Sequence, residues 1–97
     1  MAAIVAVFQT PSLTKERYEA SVRGLGHNGP LTAPSDWPVK GLIVHVAGQG
    51  PSGFRVVDVW ESAEAFQAFG AKLMPILQGL GVEGAPEVYP AHTVVHA

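Results

Sequence analysis

The stretch Asp58-Val-Trp-Glu-Ser-Ala-Glu-Ala-Phe-Gln-Ala-Phe69 constrains this chain more than any other, because a strand rich in β-branched and aromatic residues runs straight into an amphipathic helix. Val56, Val57, Val59 and Trp60 suit a pleated strand. Ser62 is a ready N-cap, and Glu64 falls in the first helical turn, where a negative charge meets the positive end of the helix dipole. A strand that ends so close to a helix cap defines the local topology.

On either side of this junction the hydrophobic period keeps changing. Ala3 to Gln9 is an apolar run bounded by Thr10-Pro11 and reads as a buried strand. A helix follows, capped by Ser12 or Thr14, with Leu13, Tyr18, Val22 and Leu25 on one stripe and Gly24 and Gly26 at its end. Residues 26–40 carry three prolines, His27 and Trp37, and form a long loop. It is either a surface loop that uses Trp37 as a hydrophobic plug or a lid over a ligand. Leu42 to Ala47 and Phe54 to Trp60 then read as a hairpin, joined by six residues, Gly48-Gln-Gly-Pro-Ser-Gly53, more than a two-residue tight turn needs. Phe66, Phe69, Leu73 and Leu77 recur at helical spacing, and Pro75 predicts a kink or a fresh turn among them. The last strand, Glu87 to Val95, contains Pro90, which lacks an amide donor and belongs at a sheet edge or a bulge.

The order is βαββαβ in a single domain of 97 residues: an α+β fold with one antiparallel sheet and both helices on one face, the ferredoxin-like arrangement. Strict alternation places Leu42, Val44 and Val46, with Val57 and Val59, against the helices. It leaves Ile43, His45 and Ala47 beside Phe54, Val56, Asp58 and Trp60 on the other, bare face. That face would be an apolar patch, and the simplest cover is an identical sheet, so a homodimer is expected. The 47% apolar content against only 14% charged residues points the same way.

The Val-Trp-Glu-Ser run with the helical Phe after it, set in this element order, resembles the dimeric α+β barrel superfamily, including its antibiotic biosynthesis monooxygenase-like members. The resemblance implies two such sheets closing into a barrel, with a pocket inside each subunit for a small aromatic or hydrophobic molecule. It also implies chemistry of the cofactor-independent monooxygenase or polyketide cyclase kind. Haem-degrading members use a Trp at the position of Trp60 with an amide side chain on the first strand, a place Gln9 would take. They bind iron through a His on the second helix, however, and no His occurs between His45 and His92, a departure that argues against haem degradation. In related cofactor-free enzymes a pocket His promotes proton abstraction, which makes His92 a candidate beside His45.

The residues themselves single out Asp58, an acid in an apolar strand that needs a partner if buried. His45 lies diagonally across the hairpin on the same face, near enough for the carboxylate to orient its imidazole, and the pair would serve as a general base. The alternative is an Asp that caps a loop or meets Arg55 or a cation of a partner chain. Phe54, Trp60 and Trp37 are candidates to stack on a ligand, although a Trp of the size of Trp60 is more often core or dimer packing than a substrate contact. His92 and His96 share a strand face but lie too far apart to hold a metal without a third ligand, so no metal is expected, and the resemblance to cofactor-independent enzymes implies no cofactor.

Other classes are disfavoured. Six Lys and Arg residues scattered in a chain of net charge -2 give no basic stripe for nucleic acid. The segment Thr10-Pro11-Ser12 is no glycine-rich phosphate cradle. There are no cysteines, and no apolar run suits a signal or membrane helix, which makes a cytoplasmic protein the expectation. Two readings remain: an enzyme using His45 or His92 with Asp58, or a non-catalytic module that binds a ligand or simply dimerises.

Overall fold

The computed structural model describes residues 2–96. Its elements are β1 (Ile4–Phe8), α1 (Lys15–Gly24), a 3-10 turn (Pro34–Asp36), β2 (Leu42–Gly50), β3 (Gly53–Trp60), α2 (Ala63–Gly79) and β4 (Glu87–Pro90). The four strands make one open antiparallel sheet in the order β2-β3-β1-β4. Among the described residues no helix is long and apolar enough to cross a membrane.

Local chemistry explains the boundaries. The Thr14 hydroxyl accepts the Arg17 N–H and starts α1, and Ser62 does the same for Ala65 at the start of α2. Ser12, the other candidate cap, instead accepts the N–H of Glu83 and ties the start of α1 to the segment after α2. α2 continues through Pro75 without interruption, so the expected fresh turn is absent. The hairpin is tighter than the sequence suggested. β2 and β3 pair as far as Gly50 and Gly53, leaving only Pro51 and Ser52 as the turn, with Gly53 taking up a φ of +131°. β4 is an edge strand, as Pro90 requires, but pairing stops at Pro90, well short of Val95.

The largest difference from the sequence reading is which face lies under the helices. Leu42 pairs with Trp60 and Val44 with Val59, so Ile43 is the extra residue of a bulge that reverses the alternation at the start of β2. Leu42 and His45 therefore share one face. Ile4, Ala6, Leu42, Phe54, Asp58 and Trp60 are buried on that face, and Val22 of α1, Phe69 and Leu77 of α2, and Leu13 just ahead of α1 join the same core. Val5, Val7, Val44, Val46, Val57 and Val59 form the opposite, uncovered face. The physical reason is size. Trp60 and Phe54 remove far more apolar area from water beneath a helical layer than valines can, and the carboxylate that goes with them finds a partner there.

Gly41 marks the entry to β2. Its φ is +112°, its carbonyl accepts the Glu61 N–H at 2.8 Å, and a Cβ there would come within 2.6 Å of the Ala65 Cβ. Gly41→Ala therefore meets both an unfavourable backbone conformation and a clash, with an expected loss of about 1–3 kcal/mol. Urea unfolding reads this as a lower midpoint at unchanged slope.

Candidate functional site

The site grows from one cross-strand pair. His45 and Asp58 lie directly opposite each other in the β2–β3 ladder, closer than the diagonal placement expected, and His45 Nδ1 is 2.6 Å from Asp58 Oδ1. The Asp58 side chain is 8% exposed and that of His45 15%, so the interaction sits in a poorly solvated environment. An ionised carboxylate only accepts, which puts a proton on Nδ1 and leaves Nε2 to face outward.

Nε2 meets the Tyr18 hydroxyl of α1 at 2.7 Å. Tyr18, His45 and Asp58 thus form a continuous hydrogen-bonded chain from a helix to the centre of the sheet. Sequence reasoning assigned Tyr18 to the packing stripe of α1 and missed it as a polar participant. The available signal was that a core-facing tyrosine hydroxyl needs a partner, and the facing sheet offers few. Burial, and after it the negative charge of Asp58, hold the Tyr18 hydroxyl above the ordinary phenol range. Tyr18 is therefore a protonated donor at neutral pH rather than a phenolate.

Aromatic rings fix this chain in place. Tyr18 packs on Phe54 with centroids 5.1 Å apart, and Trp37, from the 26–40 loop, meets the His45 ring edge-on at 4.7 Å. The loop is itself pinned by Asp36, whose carboxylate accepts the backbone N–H groups of Thr32 and Ala33. These bonds, those backbone amides first, hold the Asp36 carboxyl below the usual aspartate range. Because its folded value is depressed, this contribution to stability is present above the unfolded aspartate value and is lost as pH falls through the folded one.

Two cavities meet at the Tyr18–His45 contact. An inner chamber of about 90 Å³ lies between sheet and helices, lined by apolar side chains such as Phe8, Leu25, Phe69 and Leu73. An outer groove of about 670 Å³ runs past Phe54, Pro30 and Leu31 with Lys15, Glu19 and Arg23 on its rim.

Of the residues expected at a site, the structure brings together His45, Asp58, Phe54 and Trp37. Trp60 is fully buried against Phe69 and Phe66 and lines neither cavity. Gln9 is exposed at the end of β1, and His92 is exposed beyond β4; neither lines either of these two cavities. Among the described residues no group of three or more His, Asp or Glu is placed to hold a metal ion. Compared with protein families and with curated proteins, the chain matches none.

Proposed function

We propose that this chain is a small dimeric α+β barrel protein of ferredoxin-like arrangement whose pocket takes a small aromatic or hydrophobic molecule and removes a proton from it. The observation that carries this reading is the Tyr18–His45–Asp58 chain, which runs from buried carboxylate to cavity wall. A substrate O–H or activated C–H in the groove gives its proton to the Tyr18 oxygen while the Tyr18 proton passes to His45 Nε2. The products are a substrate anion and an imidazolium facing the Asp58 carboxylate. Tyr18 is the relay and His45 the base, which fits a tyrosine kept protonated by burial. This proton step is common to the oxygenase-like and cyclase-like reactions that the family resemblance implies.

The test is a screen of acidic aromatic, polyketide-like compounds with the wild-type protein and with His45→Ala, Asp58→Asn and Tyr18→Phe. General-base catalysis contributes about 10²–10⁴-fold, so His45→Ala should lower kcat by that range, with substrate binding largely kept. Turnover that survives both His45→Ala and Asp58→Asn would discard these roles.

The second subunit belongs to the same reading. The uncovered face presents Val5, Val7, Val44, Val46, Val57 and Val59, with Val46 57% exposed. An aliphatic face can pair with its own copy about a two-fold axis, and a second copy is the occupant that leaves no partner patch bare. Val57 sits between Val7 and Val46 at its centre. Val57→Glu should convert a sedimenting dimer to monomer, and a wild-type chain that stays monomeric at micromolar concentration contradicts the proposal.

A further inference from the structure

Resting on the reading of this pocket as a proton-transfer site, we propose that its substrate is an amphipathic organic acid, bound with a short alkyl end inside and its anionic group at the groove rim. Tyr18, Val22, Leu31 and His45 line both cavities, so the relay stands at the neck between them. A molecule bound across the neck presents its middle to the Tyr18 oxygen, with one end in each chamber.

The inner end is defined by volume and by a glycine. A cavity of about 150 Å³ holds a benzene ring, so the inner chamber of about 90 Å³ takes a short alkyl group and not a ring. Gly70 lies within α2 and lines that chamber, on the same stripe as Phe66, Leu73 and Leu77. A Cβ at Gly70 would meet no atom within 4 Å. A glycine inside a helix is unfavourable relative to alanine, and here a larger residue would occupy the chamber. Gly70 thus keeps open a part of the chamber that any side chain there would enter.

The outer end is defined by charge. Lys15 and Arg23 are exposed on the groove rim, and among the described residues neither appears in an ion pair, the pairs present being His27–Asp36 and His45–Asp58. Glu19, one helical turn from each, offsets one of the two positive charges and leaves the rim with a net charge of +1 (two cations less one anion). The groove walls between rim and neck are Phe54, Pro30, Ala47 and the Tyr18 ring, surfaces suited to a planar body.

The experiment measures calorimetric affinities at low salt for benzoate, para-propylbenzoate and the neutral para-propylbenzamide. Charge-assisted contacts predict that para-propylbenzoate binds about tenfold tighter than the amide, and that the Lys15→Gln/Arg23→Gln protein loses this preference. Gly70→Leu should bring para-propylbenzoate down to the affinity of benzoate, and the milder Gly70→Ala should lower it part of the way. Equal affinity for acid and amide in the wild type, a preference that persists in the double variant, absence of binding, or a propyl effect indifferent to Gly70 would each overturn the proposal. The proton-transfer reading fails separately, when a substrate is turned over equally by wild type, Tyr18→Phe and His45→Ala, and that result leaves these affinities as they are.

Discussion

Trp60→Ala is expected to remove about 3–5 kcal/mol of stability, the range for deleting a large buried aromatic whose surroundings collapse only in part. Trp60 is fully buried, paired on either side by Ile4 of β1 and Leu42 of β2, and its ring contacts Phe69 with centroids 5.1 Å apart. A domain of this size is stable by about 5–15 kcal/mol, so a loss of this order removes a large fraction of the total. Trp60→Phe separates packing from polarity. The indole N–H is buried and, among the described residues, has no hydrogen-bond partner, and an unsatisfied buried donor is itself unfavourable by about 1–3 kcal/mol. The phenyl ring loses volume but also loses that donor, and the net change is expected to stay below about 1.5 kcal/mol. Thermal or urea unfolding of the two variants gives the comparison. A Phe variant as unstable as the Ala variant would mean that the N–H is satisfied and that the indole shape is the whole effect.

Much of this architecture could be read from the residues because the decisive signals were local. The Ser62 cap, the Trp60-to-helix junction and the Pro90 edge position each depend on a few neighbouring residues, and each appears in the structure. The pairing of His45 with Asp58 was also legible, since two polar residues on adjacent strands of an apolar hairpin have few other partners. Which face they occupy was not. Both faces of the hairpin are apolar, so hydrophobicity does not choose between them, and a one-residue bulge at Ile43 reverses strict alternation at the start of β2. Tyr18 was hidden differently. Its place on the stripe of Leu13 and Val22 is equally consistent with packing, and only the tertiary approach of α1 to β2 brings its hydroxyl onto His45. The short hairpin turn was obscured because Gly48, Gly50 and Gly53 look like loop residues when they are strand residues flanking Pro51-Ser52.

His45→Ala should be the second large effect, and it connects the stability of the sheet to its chemistry. The substitution strands the Asp58 carboxylate on a residue only 6% exposed, and removing one member of a buried pair typically costs about 3–5 kcal/mol. Replacing both members is a different experiment. In His45→Ala/Asp58→Leu no charge is left beneath the helices, and exchanges of buried pairs for apolar residues are often neutral or stabilising. The double variant should therefore be more stable than His45→Ala alone, with a coupling energy of about 1.5–3 kcal/mol across the cycle, the upper range for residues in direct contact. Tyr18→Phe removes only the outer hydrogen bond and should cost about 1 kcal/mol. These stability changes follow the order Asp58–His45 before His45–Tyr18, whereas proton transfer needs all three groups. A set of variants in which Tyr18→Phe is nearly as stable as wild type yet as inactive as His45→Ala would separate relay from scaffold. If His45→Ala costs less than about 1 kcal/mol, Asp58 has another partner or water, and the carboxylate is not what holds the imidazole in place.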